Sequence, residues 1–174
     1  MNRRQFIRAG VAGGAVLSAG GAWMVWRDRD PANRDAVGIE RGHRIDRIIG
    51  SIAPAILAGI LPAGTADRNT AIKRVATDVG LVVANFTPPV RKEVHELFAL
   101  LDIGIARRLL TGVSRDWPDA DTDEVAAFLE RWRRSSFATL QSGYHALHDL
   151  VLGAWYANPA TWPRIGYPGP PNIQ

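Results

Sequence analysis

The sequence predicts an all-α fold: a small bundle of four to five helices, followed by a proline-rich, extended C-terminal tail. Three observations lead there. Apolar residues recur at spacings of three and four through most of residues 36–157. No stretch alternates with period two for long, and no hairpin signal occurs. Pro and Gly clusters punctuate the chain at helix-length intervals. The chain has 174 residues, 47% hydrophobic and 22% charged, which suits one folded domain and not a disordered segment. It divides into a leader (1–26), a charged linker (27–35), a helical domain (36–157) and a tail (158–174).

The elements follow in order. Ile45, Ile48, Ile49, Ile52, Ile56, Leu57 and Ile60 give a first helix one apolar face, with a kink or break expected at Pro54. Thr65 is the expected N-cap of a second helix running to Phe86, faced by Ile72, Val75, Val79, Val82 and Val83. Thr87-Pro88-Pro89 starts a third, with Thr as cap and Pro at the first helical position. Val94, Leu97, Phe98, Leu101, Ile105 and Leu109 carry its face to Thr111-Gly112. Asp116 to Asp119 reads as a turn. Asp121 and Glu124 have the spacing of a capping box for a fourth helix, with Val125, Phe128, Leu129 and Trp132 inward and Arg131, Arg133 and Arg134 in solvent. A fifth helix runs from Phe137 to Tyr156, faced by Leu140, Tyr144, Leu147, Leu150, Val151, Ala154 and Trp155.

Composition excludes several classes of chemistry. Cysteine is absent, so there is no disulfide, thiolate nucleophile, iron–sulfur cluster, thiolate-bound zinc or covalent haem attachment. Neither a P-loop, a nucleophile elbow nor a dinucleotide fingerprint occurs. The isoelectric point near 10.1 does not argue for nucleic-acid binding. Of the 21 basic residues, Arg3, Arg4 and Arg8 lie in the first eight positions, which leaves 18 basic residues against 17 acidic ones.

The first eight residues carry an address. Arg3-Arg4, a spacer, Phe6 and Ile7 match the twin-arginine export pattern, and eighteen uncharged residues follow from Ala9 to Trp26. The route exports folded proteins, some loaded with a cofactor and some accompanied by a partner. Two fates stay open for this segment: cleavage, or retention as an attachment to the membrane, with Trp23 and Trp26 at the interface.

Two constellations carry residue types suited to metal chemistry. His145 and His148 lie three apart with Asp149 adjacent, but no third or fourth ligand accompanies them. Glu40 and His43 have the Glu-x-x-His spacing of a di-iron bundle, but the second such motif is missing, and Glu40 suits a helix start. Neither His95 nor the two methionines, both in the leader, are singled out as haem ligands. The reading is therefore no catalytic, cofactor or metal site in this chain.

The tail contains five prolines in its last 16 residues, together with Trp162, Ile165 and Tyr167. A prolyl-stiffened segment bearing apolar groups suits docking on another surface. The alternative is that its Trp162 half packs back on its own bundle. With the leader (Arg3, Arg4, Phe6), the end of the chain (Trp155, Tyr156, Trp162, Ile165, Gly166, Tyr167, Pro168, Gly169, Pro170, Pro171) resembles the gluconate 2-dehydrogenase subunit 3 family. These are small subunits of membrane-associated FAD-dependent dehydrogenases. The resemblance implies a non-catalytic subunit that takes a leaderless flavoprotein of the glucose–methanol–choline type through the twin-arginine translocase to the periplasm. It further implies FAD in that partner, haem c in a cytochrome c subunit of many such complexes, and contact with the partner through the tail residues. Lacking cysteine, this chain would hold its partner non-covalently. A transient export chaperone or membrane-tethered scaffold unrelated to dehydrogenases is the other reading.

Overall fold

The computed structural model describes residues 31–169. The all-α class holds: six α-helices and two short 3-10 helices occur, and no strand among the described residues. Residues 42–169 belong to one compact unit; of the unit before it, residues 31–41 are described, as the opening turns of α1.

Helix α1 (Pro31–Ile56) starts inside the segment 27–35 expected as linker. Proline at the first helical position lacks only an N–H that has no partner there anyway. Ile45, Ile48, Ile49, Ile52 and Leu57 are buried, as their spacing predicts. Pro54 does not break the helix. It falls in the last turn, and the Leu57 N–H still reaches Ala53 O at 2.8 Å. Helix α2 (Thr65–Ala84) buries Val75, Val79 and Val83, but its cap is Gly64 and Thr65 is already helical.

The third expected helix is two. Helix α3 (Pro88–Asp102) opens as predicted, with Thr87 in the cap position and Pro88 behind it, although the Thr87 hydroxyl makes no capping bond. It stops because Ile103 adopts an extended backbone, with φ −71° and ψ 114°. Its last carbonyls and carboxylate are claimed from outside. Trp117 Nε1 donates to Leu101 O at 3.0 Å, and Arg44 Nε and Arg47 Nη2 hold Asp102 at 2.9 and 2.7 Å. Gly104, a poor helix former, follows at once. Helix α4 (Gly104–Thr111) then runs to Gly112, whose left-handed φ of 69° lets its N–H return to Arg108 O. Breaking the helix turns its second half over. Ile105 and Leu109, expected inside, are 74% and 80% exposed, while Arg107 and Thr111 are buried.

The Asp116–Asp119 turn contains a 3-10 helix (Trp117–Asp119) with Trp117 at the centre of the core. Helix α5 (Thr122–Arg133) is capped by Asp121, which accepts from the Asp123 N–H at 2.8 Å. Glu124 does not complete the capping box; its Oε1 accepts from Ser114 Oγ at 3.1 Å. Val125, Phe128, Leu129 and Trp132 are buried as predicted. Arg131, Arg133 and Arg134 are exposed as expected, and Arg131 Nη2 also donates to Thr111 O. Arg133 grips Glu130 with two bonds of 2.8 Å and Arg134 adds a third contact. The Arg133 hydrogen bonds, then the two guanidinium charges, hold the Glu130 carboxyl below its ordinary value. That contribution is present above the usual glutamate range and is lost as pH falls through the lowered value.

Helix α6 (Ala138–Ala157) packs against α2, α5 and the tail. Leu147, Leu150, Val151, Ala154 and Trp155 face the core. Gly143 makes room for Trp132: a Cβ there would lie 2.5 Å from the ring carbon Cζ3. Gly143→Ala is expected to lower unfolding free energy by about 1–3 kcal/mol. Gly80→Ala on α2, where a Cβ meets nothing within 4 Å, is expected to raise it by about 0.5–1 kcal/mol. Urea denaturation of the two variants checks both signs.

Candidate docking site

The tail residues singled out by sequence come together at the end of α6, but not as an extended strap. Pro159–Ile165 is a 3-10 helix, capped by Asn158, whose side-chain oxygen accepts from the Ala160 N–H at 3.1 Å. Three prolines across residues 159–168 do not prevent this, because a short 3-10 segment needs few N–H donors. The segment folds back, the second of the two readings above. What holds it is the unmet hydrogen bonding of a helix end. Thr161 Oγ1 donates to Trp155 O at 3.0 Å and to Asn158 O at 2.8 Å, and Trp162 Nε1 donates to Tyr156 O at 2.7 Å.

The next residues form a tight corner. Gly166 closes the 3-10 helix with φ 69°, the Tyr167 N–H bonds Trp162 O at 3.1 Å, and the Tyr167 ring meets the Trp162 ring edge-on at 5.2 Å. Gly169, at φ 103°, lies so near that a Cβ would stand 3.4 Å from Trp162 Cζ3. Both glycines hold backbone angles that other residues rarely adopt. The Trp-x-x-Ile-Gly-Tyr-Pro-Gly sequence is thus a self-supporting turn.

The expected partner-facing residues separate accordingly. Trp155 is 5% exposed and belongs to the core, so its indole is not presented for docking. Trp162 is half-buried and spends its N–H on the helix end. Tyr156, Tyr167 and Pro168 are exposed and form the outward part of the turn. Ile165 is the last residue of the 3-10 helix. Pro170 and Pro171 lie outside the described residues, as do the leader residues Arg3, Arg4, Phe6 and Ile7.

The histidines do not gather a metal site. The Tyr144 ring lies 5.3 Å from that of His145 and 5.4 Å from that of His148, and His148 Nδ1 stands 3.2 Å from Asp149 Oδ1. Among the described residues no group of three or more His, Asp or Glu could hold an ion, and Glu40 and His43 on α1 join no such group. No helix of the described residues is long and apolar enough to cross a membrane.

Two concavities escaped sequence reasoning. One is an apolar groove of about 450 Å³ between α2, α3 and α6, lined by Val82, Phe86, Val90, Val94, Leu150 and Gly153 among others. The other is a cleft of about 240 Å³ beneath the tail, with Asp67, Thr70, Arg74, Asp78 and Trp155 in its wall. Its polar groups are largely engaged already: Thr70 bonds Ala66 O and Arg74 pairs with Asp78. The groove's only sequence sign is a surplus of apolar residues at the end of α2 and the start of α3. No protein-family model matches the chain, and no curated protein or solved structure matches it.

Because the turn closes the end of α6, Thr161→Val is expected to destabilise the protein by about 0.5–1.5 kcal/mol, removing the hydroxyl that reaches Trp155 O and Asn158 O and leaving Trp155 O with the Asn158 N–H alone. Thermal unfolding followed by circular dichroism measures the loss.

Proposed function

We propose that this chain is the non-catalytic small subunit of a membrane-associated, FAD-dependent sugar or alcohol dehydrogenase. In this reading it supplies the twin-arginine signal that takes a leaderless flavoprotein to the periplasm, and it stabilises that flavoprotein. The observation that carries the proposal is the pairing of two sequence features at opposite ends of one small helical chain. Arg3-Arg4-x-Phe6-Ile7 matches an address read by a translocase of folded proteins, and residues 166–171 read Gly-Tyr-Pro-Gly-Pro-Pro as in the family the chain resembles.

The tail geometry supports a docking role. Tyr156, Tyr167 and Pro168 are offered by a turn whose backbone is already ordered by Gly166, Thr161 and Trp162. Little conformational entropy remains to be lost on binding, and a tyrosine-bearing rigid surface is a common anchor of protein interfaces. The flavin belongs to the partner in this proposal, and haem c to a cytochrome subunit that accepts its electrons.

The test is isolation of a C-terminally tagged copy from its native host, with an absorption spectrum of the eluate. Flavin bands together with a large polypeptide are the expected result. A colourless, solitary 19.0 kDa chain would favour the transient chaperone or scaffold instead. Arg3→Lys combined with Arg4→Lys is expected to hold both chain and partner in the cytoplasm, read by cell fractionation. A partner that still reaches the periplasm refutes the shared-leader reading. Deleting residues 162–174 is expected to weaken the complex on size-exclusion chromatography while helix content stays high.

A further inference from the structure

Helix α4 is amphipathic the wrong way round. Its inward side carries Arg107, 4% exposed, and Thr111; its outward side carries Ile105 and Leu109. Leu100, Ile103 and Leu110 are exposed beside them, which gives five aliphatic side chains on the eleven residues around the α3–α4 corner. The arrangement has a visible cost. Arg107 reaches Asp116 through Nη2 at 2.7 Å, but its buried Nε finds no acceptor.

The helix is pinned in this orientation. Trp132 Nε1 donates to Leu110 O at 3.0 Å, Arg131 Nη2 to Thr111 O, and Thr111 Oγ1 to Arg107 O at 2.7 Å while accepting from the Val113 N–H. Rotating α4 to bury Ile105 and Leu109 would break the two bonds from α5, those of Trp132 and Arg131. The apolar face is therefore a fixed feature of the fold, turned away from its own core.

The charges around the face select what covers it. Arg108 stands beside Ile105 and Leu109 on α4, with its Nε on Ser114 O and no carboxylate partner among the described residues. Arg131 meets the C-terminal end of the helix, and Arg115 is exposed on the returning strand of chain. Of the acids nearby, Asp102 is paired with Arg44 and Arg47 and Asp116 with Arg107, while Glu124 accepts from Ser114 and keeps its other oxygen buried away from the face. Asp119, Asp121 and Asp123 lie towards the start of α5. Asp121 is about 15 Å along that helix from Arg131. The rim of the face is cationic. Five aliphatic side chains fall well short of the roughly 20–30 residues a side of a stable protein interface. A second copy of the chain would bring its own arginines against these.

We propose that the α3–α4 corner is a membrane-contact site: Ile103, Ile105 and Leu109 enter the interface of an anionic bilayer while Arg108 and Arg131 engage its phosphate groups. Aliphatic side chains flanked by arginine are the composition of surfaces that lie on acidic lipid without spanning it. The contact would be peripheral and salt-sensitive. It is independent of the dehydrogenase reading and requires no particular partner.

Because the full chain has no cysteine, single labels are clean. Leu109→Cys carries a polarity-sensitive fluorophore in one sample. Leu81→Cys, at an exposed apolar position on α2, carries it in another. Each full-length protein is mixed with vesicles of phosphatidylglycerol and phosphatidylcholine, or of phosphatidylcholine alone. The expected result is a blue shift at position 109 with the anionic vesicles, a weaker one with the neutral vesicles, and none at 81. Comparing two positions in one chain removes whatever the leader contributes to vesicle binding. Arg108→Gln is expected to reduce the inserted fraction at 109 by up to about fivefold, the loss of one lipid-facing cation. No shift at 109, or equal shifts at both positions, overturns the proposal. So does a shift at 109 that grows with protein concentration without lipid, which would mean self-association, or one produced only by an added partner protein.

Discussion

The fold depends on hydrogen-bond donors delivered to helix C-termini. A helix leaves its last four carbonyls without partners, and when the end lies against protein instead of water each needs a donor from elsewhere. Three tryptophan indoles meet that need: Trp117 on Leu101 at the end of α3, Trp132 on Leu110 at the end of α4, and Trp162 on Tyr156 at the end of α6. Arg131 and Thr161 do the same for Thr111 and Trp155. The large apolar body of tryptophan fills the core while its single polar group terminates a helix. Four tryptophans beyond the leader are thus accounted for structurally, Trp155 by core packing and the other three by capping.

Trp117 shows how far one such bond reaches. Its indole fixes where α3 ends, its carbonyl accepts from Ser51 Oγ on α1, and its ring lies edge-on to Phe128 on α5 at 6.1 Å. Ending α3 at Asp102 lets α4 start afresh with a different phase. The outward placement of Ile105 and Leu109 is a consequence of that phase change, so a capping bond inside the core decides what the surface displays.

Much of this was legible in the sequence. The helical class, the inward faces of α1, α2, α5 and α6, the Thr87-Pro88 start and the Asp121 cap all follow from local periodicity and capping chemistry. Three of the departures share one cause. The split at Ile103, the inversion of α4 and the return of Pro159–Ile165 each depend on a donor that is remote in the helix sense: Trp117, Trp132 with Arg131, and Trp162 with Thr161. Apolar spacing registers where side chains point within one helix, but not which distant indole ends it. The candidate site was legible as a list of residues and not as a division of labour. Trp162 and the two glycines build the turn, and Tyr156 and Tyr167 are what it shows to the outside.

The closure of α6 by its own tail imposes an order on biosynthesis. A ribosome releases the chain from its N-terminus, so the helix that packs on both α2 and α5 emerges after them, and residues 158–167, which close it, emerge later still. Until they are free, the carbonyls of Trp155 and Tyr156 lack their donors and the final helix stays frayed. The body is thereby completed only after α6 and the segment that closes it have both emerged. A chain stopped before residue 158 has α1 to α6 but leaves the end of α6 without the donors of Thr161 and Trp162.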